Sequence, residues 1–249
     1  MNRFLVDKIS PKDKYIILND SSQLHHLRDV LRIKPLEQVI IFDNLGNEYV
    51  ARVCEIGAVA VKLIVIEKKE AKDPGVKITV ACAIPKKVKM DDIVDKLTQL
   101  GVECIIPLET ERVIVRLDKQ KKIERLKRWE KIAISAVKQS QRNRLPVIKP
   151  VAGLKDAILA VHSAALNFDL KLIPTLEGER KTLKEVFSKT SKKIKKVIIL
   201  IGPEGDFTPG EVTLAKQAGF LPVSLGSQVL RVDTAAIAAV SFIKLNEEY

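Results

Sequence analysis

The stretch that most narrows what this chain can fold into is residues 197–239, VIILIGPEGDFTPGEVTLAKQAGFLPVSLGSQVLRVDTAAIAA. The run 197–201 is wholly apolar, as expected of a strand covered on both faces, and it stops at Gly202-Pro203. After the loop Gly202-Pro203-Glu204-Gly205-Asp206, Thr208 and Glu211 have capping-box spacing. Pro209 takes the first helical position, and Gly219 suits the helix end. A second apolar run, 220–225, breaks at Gly226, and a second loop, 226–232, leads to a helix beginning near Asp233. Strand, loop and helix, twice over, predict an α/β sheet with two glycine-bearing loops at the carboxyl ends of buried strands. That is where such sheets bind ligands.

A chain of 249 residues suits one large or two small domains, and 46% apolar residues suffice for a sizeable core. The net charge of +12 favours a polyanionic partner. The excess is concentrated, because residues 112–149 carry 13 Lys and Arg against Asp118, Glu124 and Glu130. Such a stripe tracks a phosphate backbone, or else is a solvated helix face. Cys54, Cys82 and Cys104 lack CxxC spacing and are expected as reduced thiols in a cytoplasmic protein, each a small core residue. No apolar stretch approaches a membrane span, and MNRFLVDK is not a secretion signal. Adjacent His25 and His26 point about 100° apart on a helix and have no third ligand nearby, so no metal is expected.

Residues 1–72 read as a small β-barrel. Strands 39–42 and 48–53 flank a turn at 43–47, and a third strand covers 59–66. A short helix at 21–31, capped by Ser21 or Ser22, sets Arg28 and Arg32 on one face. These make either a fork for phosphates, which Arg3 would join, or a pair of surface charges. EKKEAKDPG, residues 67–75, reads as the linker. Residues 73–249 open with a strand at 77–84, the loop Pro85-Lys86-Lys87, and a helix burying Met90, Ile93, Val94, Leu97 and Leu100. A strand at 104–108 follows. The long basic helix 118–140 buries Ile123, Leu126, Ala133, Ala136, Val137 and Ser140. Beyond it a helix at 153–160, a strand at 164–168, a loop at 170–179 and a short helix at 183–187 are expected, with a solvated connector at 188–196.

LIGPEGDF (200–207) with LGSQVLRVDTA (225–235) resembles the paired GPEGG and LG-x-x-ILR-x-ETA signature of the 16S ribosomal RNA uridine-N3 methyltransferases, a branch of the SPOUT class. Val229 replaces Ile and Asp233 replaces Glu. Asp206, in place of the last glycine of GPEGG, is the departure that bears on backbone geometry. Residues 25–53 are similar to the family's amino-terminal PUA-like RNA-binding barrel, matching HL-x-x-VLR at His26, Leu27, Val30, Leu31 and Arg32. Residues 84–113 resemble a further family segment, with Gln99 for a Glu and with Lys86, Glu111 and Arg112 at matching polar positions. AVKQSQRNRLPVI (136–148) matches A-x-x-QS-x-R-x-x-x-P-x-I at Gln139, Ser140, Arg142 and Pro146.

The resemblance covers nearly the whole chain. It implies a SPOUT-type trefoil-knotted α/β methyltransferase domain preceded by a PUA-like β-barrel. General topology rules would give an unknotted sheet, so the knot rests on the resemblance alone. It also implies S-adenosylmethionine, walled by Leu200, Ile201, Gly202, Pro203, Gly205, Leu225, Gly226, Val229 and Leu230. The implied reaction is methylation of N3 of a uridine in the decoding region of 16S rRNA, in the small ribosomal subunit. The implied RNA contacts are Arg3, Arg28, Arg32, Lys86, Gln139 and Arg142, and the implied assembly is a homodimer paired through the last helix.

Close approach of a ligand to backbone needs glycine, which Gly202, Gly205 and Gly226 supply. No Walker lysine follows, and GPEGDF is not GxGxxG, which argues against a nucleoside triphosphatase and a dinucleotide enzyme. Methyl transfer from a sulfonium is an in-line displacement that needs the target nitrogen about 3–3.5 Å from the methyl carbon. Uridine N3 carries an imide proton that must leave, with charge building on O2 or O4. Arg231 is placed to stabilise that charge, or it clamps a phosphate or pairs with Asp233 or Glu204. Glu204 is the nearest base, or it caps the following turn. Thr234 is expected as a helix cap, and Glu111 with Arg112 as a structural ion pair. Arg142 is a substrate contact or a partner of a helix carboxyl end. Two alternatives are a SPOUT methyltransferase acting on tRNA or large-subunit RNA, and an RNA-binding assembly factor without catalysis.

Overall fold

The structure, a computed structural model, describes residues 1–6, 9, 14–69, 71, 75–86, 89–114, 116–162, 167–176, 178–189 and 194–246. The chain divides into two compact units, Met1–Asp73 with Val137–Leu145, and Pro74–Ala136 with Pro146–Tyr249. Among the described residues no helix is long and apolar enough to cross a membrane.

The first unit contains β1 (Arg3–Leu5), β2 (Tyr15–Leu18), α1 (Ser21–His25), a π-helical turn His26–Val30, β3 (Gln38–Phe42), β4 (Glu48–Ile56) and β5 (Val61–Lys69). The sheet order is β1-β3-β4-β5-β2, with β1 parallel to β3 and the other pairs antiparallel. Phe4, Leu24, Leu27, Val39, Ile41, Val53 and Leu63 fill its core. The β3–β4 turn is organised by Asp43, whose buried carboxylate accepts from the Leu45 and Asn47 amides at 3.0 and 3.1 Å and from the Asn47 side chain at 2.6 Å. Strand β1 lies at a sheet edge, and the Gln23 side chain pairs with both backbone groups of Leu5, at 2.8 and 2.6 Å, as a neighbouring strand would.

Two local expectations change here. The cap of α1 is Asp20, which accepts from the Gln23 amide at 2.8 Å, because Ser21 and Ser22 are already helical. Arg32 lies past the π-helical turn at φ 52°, so Arg28 and Arg32 do not share a helix face.

The second unit runs β6 (Lys77–Ala83), α2 (Lys89–Gln99), β7 (Cys104–Glu109), α3 (Lys119–Gln139, whose end counts with the first unit), β8 (Val147–Ile148), β9 (Ala152–Gly153), α4 (Leu154–His162), β10 (Leu170–Pro174), β11 (Lys181–Thr182), α5 (Leu183–Ser188), β12 (Lys196–Ile201), α6 (Pro209–Gln217), β13 (Leu221–Ser224) and α7 (Val232–Leu245). The strand order is β11-β13-β10-β12-β6-β7-β8, with β9 also on β7, and every pairing is parallel. Alternate residues of β12 serve two cores. Val197, Ile199 and Ile201 pack with side chains of α2, α3, α5 and α7, whereas Ile198 and Leu200 pack with α4 and α6. That double covering explains the unbroken apolar run. The chain leaves β6 by α2 toward β7 and leaves β12 by α6 toward β13. The adjacent strands β6 and β12 therefore form a topological switch point.

The structure places the strand expected at 164–168 at Leu170–Pro174, where a loop was expected; residues 163–166 lie outside the described set. Pro174, which reads as a breaker, is the strand's last residue. On α3 the buried stripe is Trp129, Ala133, Ala136 and Val137, with Leu126 partly buried against it; of the other residues expected there Ile123 is 51% exposed and Ser140 half-buried. Trp129 is 1% exposed, and its Nε1 donates to Asp91 Oδ1 at 3.1 Å while Arg128 Nε donates to Oδ2 at 2.7 Å. This fastens α3 to α2 through a carboxylate that is buried but satisfied.

Candidate functional site

An open pocket with about 570 Å³ of empty space lies at the carboxyl ends of β10, β12 and β13. Its walls come from both signature loops and from a third segment after β10. Ile201, Gly202, Pro203 and Glu204 contribute from the first loop, and Leu225, Gly226, Val229 and Leu230 from the second. Thr175, Leu176 and Arg180 form the third wall, which the sequence reading missed because it placed no strand before them. Two other expected wall residues fall outside the lining. Leu200 is 1% exposed in the core below, and Gly205 turns toward Arg112.

The capping box of α6 forms as the sequence predicts, with Thr208 accepting from Glu211 N and Glu211 accepting from Thr208 N, behind Pro209. Glu211 is buried, and its other carboxylate oxygen accepts from the Glu111 amide at 2.9 Å. Arg112 does not pair with Glu111. Its Nη1 instead donates to the Gly205 carbonyl at 2.6 Å and reaches the Phe207 carbonyl at 3.5 Å, bracing the first loop from outside. Asp206 sits at φ 58° and bonds to Thr175 and Leu176. The second loop turns at Gly226, whose φ of 128° excludes most side chains, and a Cβ there would project into open space.

Arg231 is the N-cap of α7 by backbone position, between the pocket residues Leu230 and Val232, and its side chain is exposed. Among the described residues its guanidinium makes no ion pair, so the expected pairing with Asp233 or Glu204 is not formed. Thr234 does not cap the helix either, since it lies within the first turn. Glu204 lines the pocket with an exposed side chain. Asp233 keeps one buried carboxylate oxygen without a hydrogen bond among the described residues. Cys82 lies within the field of both acids. Burial first, then the charges of Asp233 and Glu204, push its thiol pKa up. Cys104 is pushed up to about 11, chiefly by burial. Cys54 is exposed, not a core residue as expected.

The residues expected to hold RNA differ in how free they are. The Arg3 side chain is 8% exposed. It pairs with Glu48 at 2.8 Å, donates to the Arg142 carbonyl at 3.3 Å and to the Asn143 side chain, and lies 5.3 Å from the Phe42 ring centre. It therefore braces the unit rather than presenting a surface charge. Burial works to raise the Glu48 pKa, but the bonds from Arg3 and Lys69 outweigh it and the net shift is downward. Arg28 donates to the carbonyls of Gly57 at 3.1 Å and Ala58 at 2.6 Å. Arg32, Lys86 and Gln139 are exposed, and Arg142 is half-buried.

The RNA methyltransferase domain family matches residues 71–244, and the RNA methyltransferase PUA domain family matches residues 18–70. The Ribosomal RNA small subunit methyltransferase E of Rickettsia conorii is 30% identical over 249 residues, covering 98% of this chain and 95% of that protein. A methyltransferase from Legionella pneumophila, solved with bound SAM, aligns with a TM-score of 0.84 at 31% identity over 98% of this chain and 97% of its own. The Ribosomal RNA small subunit methyltransferase E of Neisseria gonorrhoeae, solved with S-adenosyl methionine, aligns with a TM-score of 0.84 at 29% identity over 99% and 98%. An α/β domain whose two glycine loops wall one pocket, following a PUA-like domain, thus comes with whole-length similarity to these enzymes, and the chain belongs to the ribosomal RNA small subunit methyltransferase E family.

Proposed function

We propose that this protein methylates N3 of a uridine in the 16S rRNA of the small ribosomal subunit, using S-adenosylmethionine. The observation that carries the proposal is the pocket itself, in which both signature loops meet at the carboxyl ends of β12 and β13, the two parallel strands that flank β10. The residues present suit the cofactor. Ile201, Leu225, Val229 and Leu230 offer apolar faces to an adenine, and Gly202 and Gly226 leave backbone amides and carbonyls open to its polar edges. When bound there, S-adenosylmethionine supplies an electrophilic methyl group. Glu204 takes the N3 proton as general base, and Arg231 holds the charge that builds on a uracil oxygen. The unpaired state of the Arg231 guanidinium among the described residues favours this role over loop bracing.

The remaining assignments belong to the same proposal. Residues 1–72 act as the RNA-binding domain and 73–249 as the methyltransferase domain. Arg28, Arg32, Gln139, Arg142 and Lys86 grip RNA beyond the reacting base, while Arg3 supports them from within the first unit. The protein works in the cytoplasm as a homodimer through the outer side of α7, where Leu245 is exposed and Ile237 and Ser241 are half-buried.

The test is incubation with labelled S-adenosylmethionine and small subunits from a strain lacking its own enzyme, followed by nucleoside analysis. N3-methyluridine in 16S rRNA is expected. Label in a different nucleoside or a different RNA would overturn the substrate, and no transfer at all would overturn the enzyme reading.

A further inference from the structure

We infer that Asp206 is a positioning residue that ties the third wall of the pocket to the first signature loop and thereby sets cofactor affinity. The inference rests on the cofactor reading given above. Asp206 stands at φ 58°, a conformation in which glycine is unstrained and Asp and Asn are the most tolerated of the other residues. A side chain at such a position adds strain unless it makes compensating bonds.

Asp206 makes three. Oδ2 accepts from the Thr175 hydroxyl at 3.0 Å and from the Leu176 amide at 2.7 Å, and Oδ1 accepts from its neighbour Phe207 N at 2.8 Å. Its own amide donates to the Pro203 carbonyl at 3.0 Å, closing the turn that presents the carboxylate. Thr175 is buried. Its amide donates to the Val223 carbonyl at 3.3 Å, and its carbonyl accepts from Arg180 Nη1 at 2.9 Å. One continuous chain of bonds therefore runs from the loop after β12, through Asp206 and Thr175, to β13 and Arg180. Asp206, Thr175, Leu176 and Arg180 all line the pocket.

The two lone-pair directions of Oδ2 are used by protein donors, so this oxygen is not available to a ligand hydroxyl. The carboxylate acts on the ligand through the walls it fixes. A charged acceptor for a backbone amide is a strong tie, and a pocket with preset walls loses less ordering entropy on binding.

The test compares Asp206→Gly, Asp206→Asn and Thr175→Val with the unaltered protein, by calorimetric binding of S-adenosylmethionine, by steady-state kinetics and by amide exchange without ligand. Asp206→Gly keeps the backbone conformation and removes the tie. It should raise Kd and KM for S-adenosylmethionine about tenfold with kcat within about twofold, and it should lose protection of the Leu176 amide. Asp206→Asn, which tolerates the same φ and retains one acceptor oxygen, should recover most of the affinity. Thr175→Val should weaken binding alone but add little to Asp206→Gly. Unchanged Kd and unchanged Leu176 protection in Asp206→Gly would overturn the inference. If Asp206→Gly does not fold, Asp206→Asn and Thr175→Val decide by the same readings. If the unaltered protein fails to bind S-adenosylmethionine, the cofactor reading falls, and the Leu176 exchange still decides whether the tie exists.

Discussion

The loop after β12 is bonded to its surroundings on several sides, while the loop after β13 is bonded mainly to itself. In the first, Arg112 holds the Gly205 carbonyl, Asp206 holds Thr175 and Leu176, Glu211 links the helix start to Glu111, and Phe207 is buried. In the second, Ser224 Oγ exchanges bonds with Gly226 at 3.0 and 3.2 Å, Val229 is 71% exposed, and Arg231 points into solvent. The first loop is a preformed wall whose ordering cost is met in folding. The second carries exposed apolar and charged groups, Val229 and Arg231, that are free to meet a ligand. Substitutions in the first loop and its braces should therefore act through the shape of the wall, on stability and on cofactor affinity, and those in the second through direct contact, on binding and rate with little effect on stability.

The largest effect is expected at Arg231. Arg231→Ala should lower single-turnover methyl transfer by about 100- to 1,000-fold while leaving cofactor Kd and the melting temperature unchanged. A matching loss of melting temperature would break the contrast, since Arg231 would then belong to the wall. Next comes Gly202→Ala. An added Cβ would lie 3.0 Å from two atoms of the buried Phe207 ring, so chemical denaturation should show a loss of about 1–3 kcal/mol. Arg112→Ala removes a charged donor from the Gly205 carbonyl. Because Arg112 is exposed, the expected cost is about 1 kcal/mol, read as a cofactor Kd weakened about fivefold. The smallest stability effect is expected for Val229→Ala, within about 0.5 kcal/mol in denaturation, with a several-fold rise in cofactor Kd. If Val229→Ala were the more destabilising of the last two, the second loop would be part of the core.

The sequence disclosed the parts of this site that repeat a local rule. The capping box at Thr208 and Glu211, the stop at Gly219 and the apolar run at 197–201 each follow from short-range chemistry, and each stands as read. Longer-range partnerships were hidden. Glu111 and Arg112 read as a pair because they are adjacent, yet each reaches about a hundred positions along the chain, to Glu211 and Gly205. Asp206 read as a departure from a glycine pattern. Only the fold brings Thr175 and Leu176 within its reach. The third pocket wall stayed out of sight because Pro174 masked the strand that supports it. Trp129 was passed over on a helix read for its charge, although at 1% exposure it anchors the buried stripe.

The first unit also has a consequence for the order of events in synthesis. Residues Val137–Leu145 complete it: Arg3 bonds to the Arg142 carbonyl and the Asn143 side chain, Asn44 accepts from the Leu145 amide, and the Arg144 guanidinium lies 2.7 Å from where a Cβ on Gly46 would stand. Arg3 and Asn44 leave the translating ribosome well ahead of these partners, which lie 139 and 101 positions further along the chain. The simple sequence of one finished domain and then the next does not apply. A nascent chain stalled before residue 145 has left the exit tunnel holds the strands of the five-stranded sheet without the bonds that residues 142–145 bring to them.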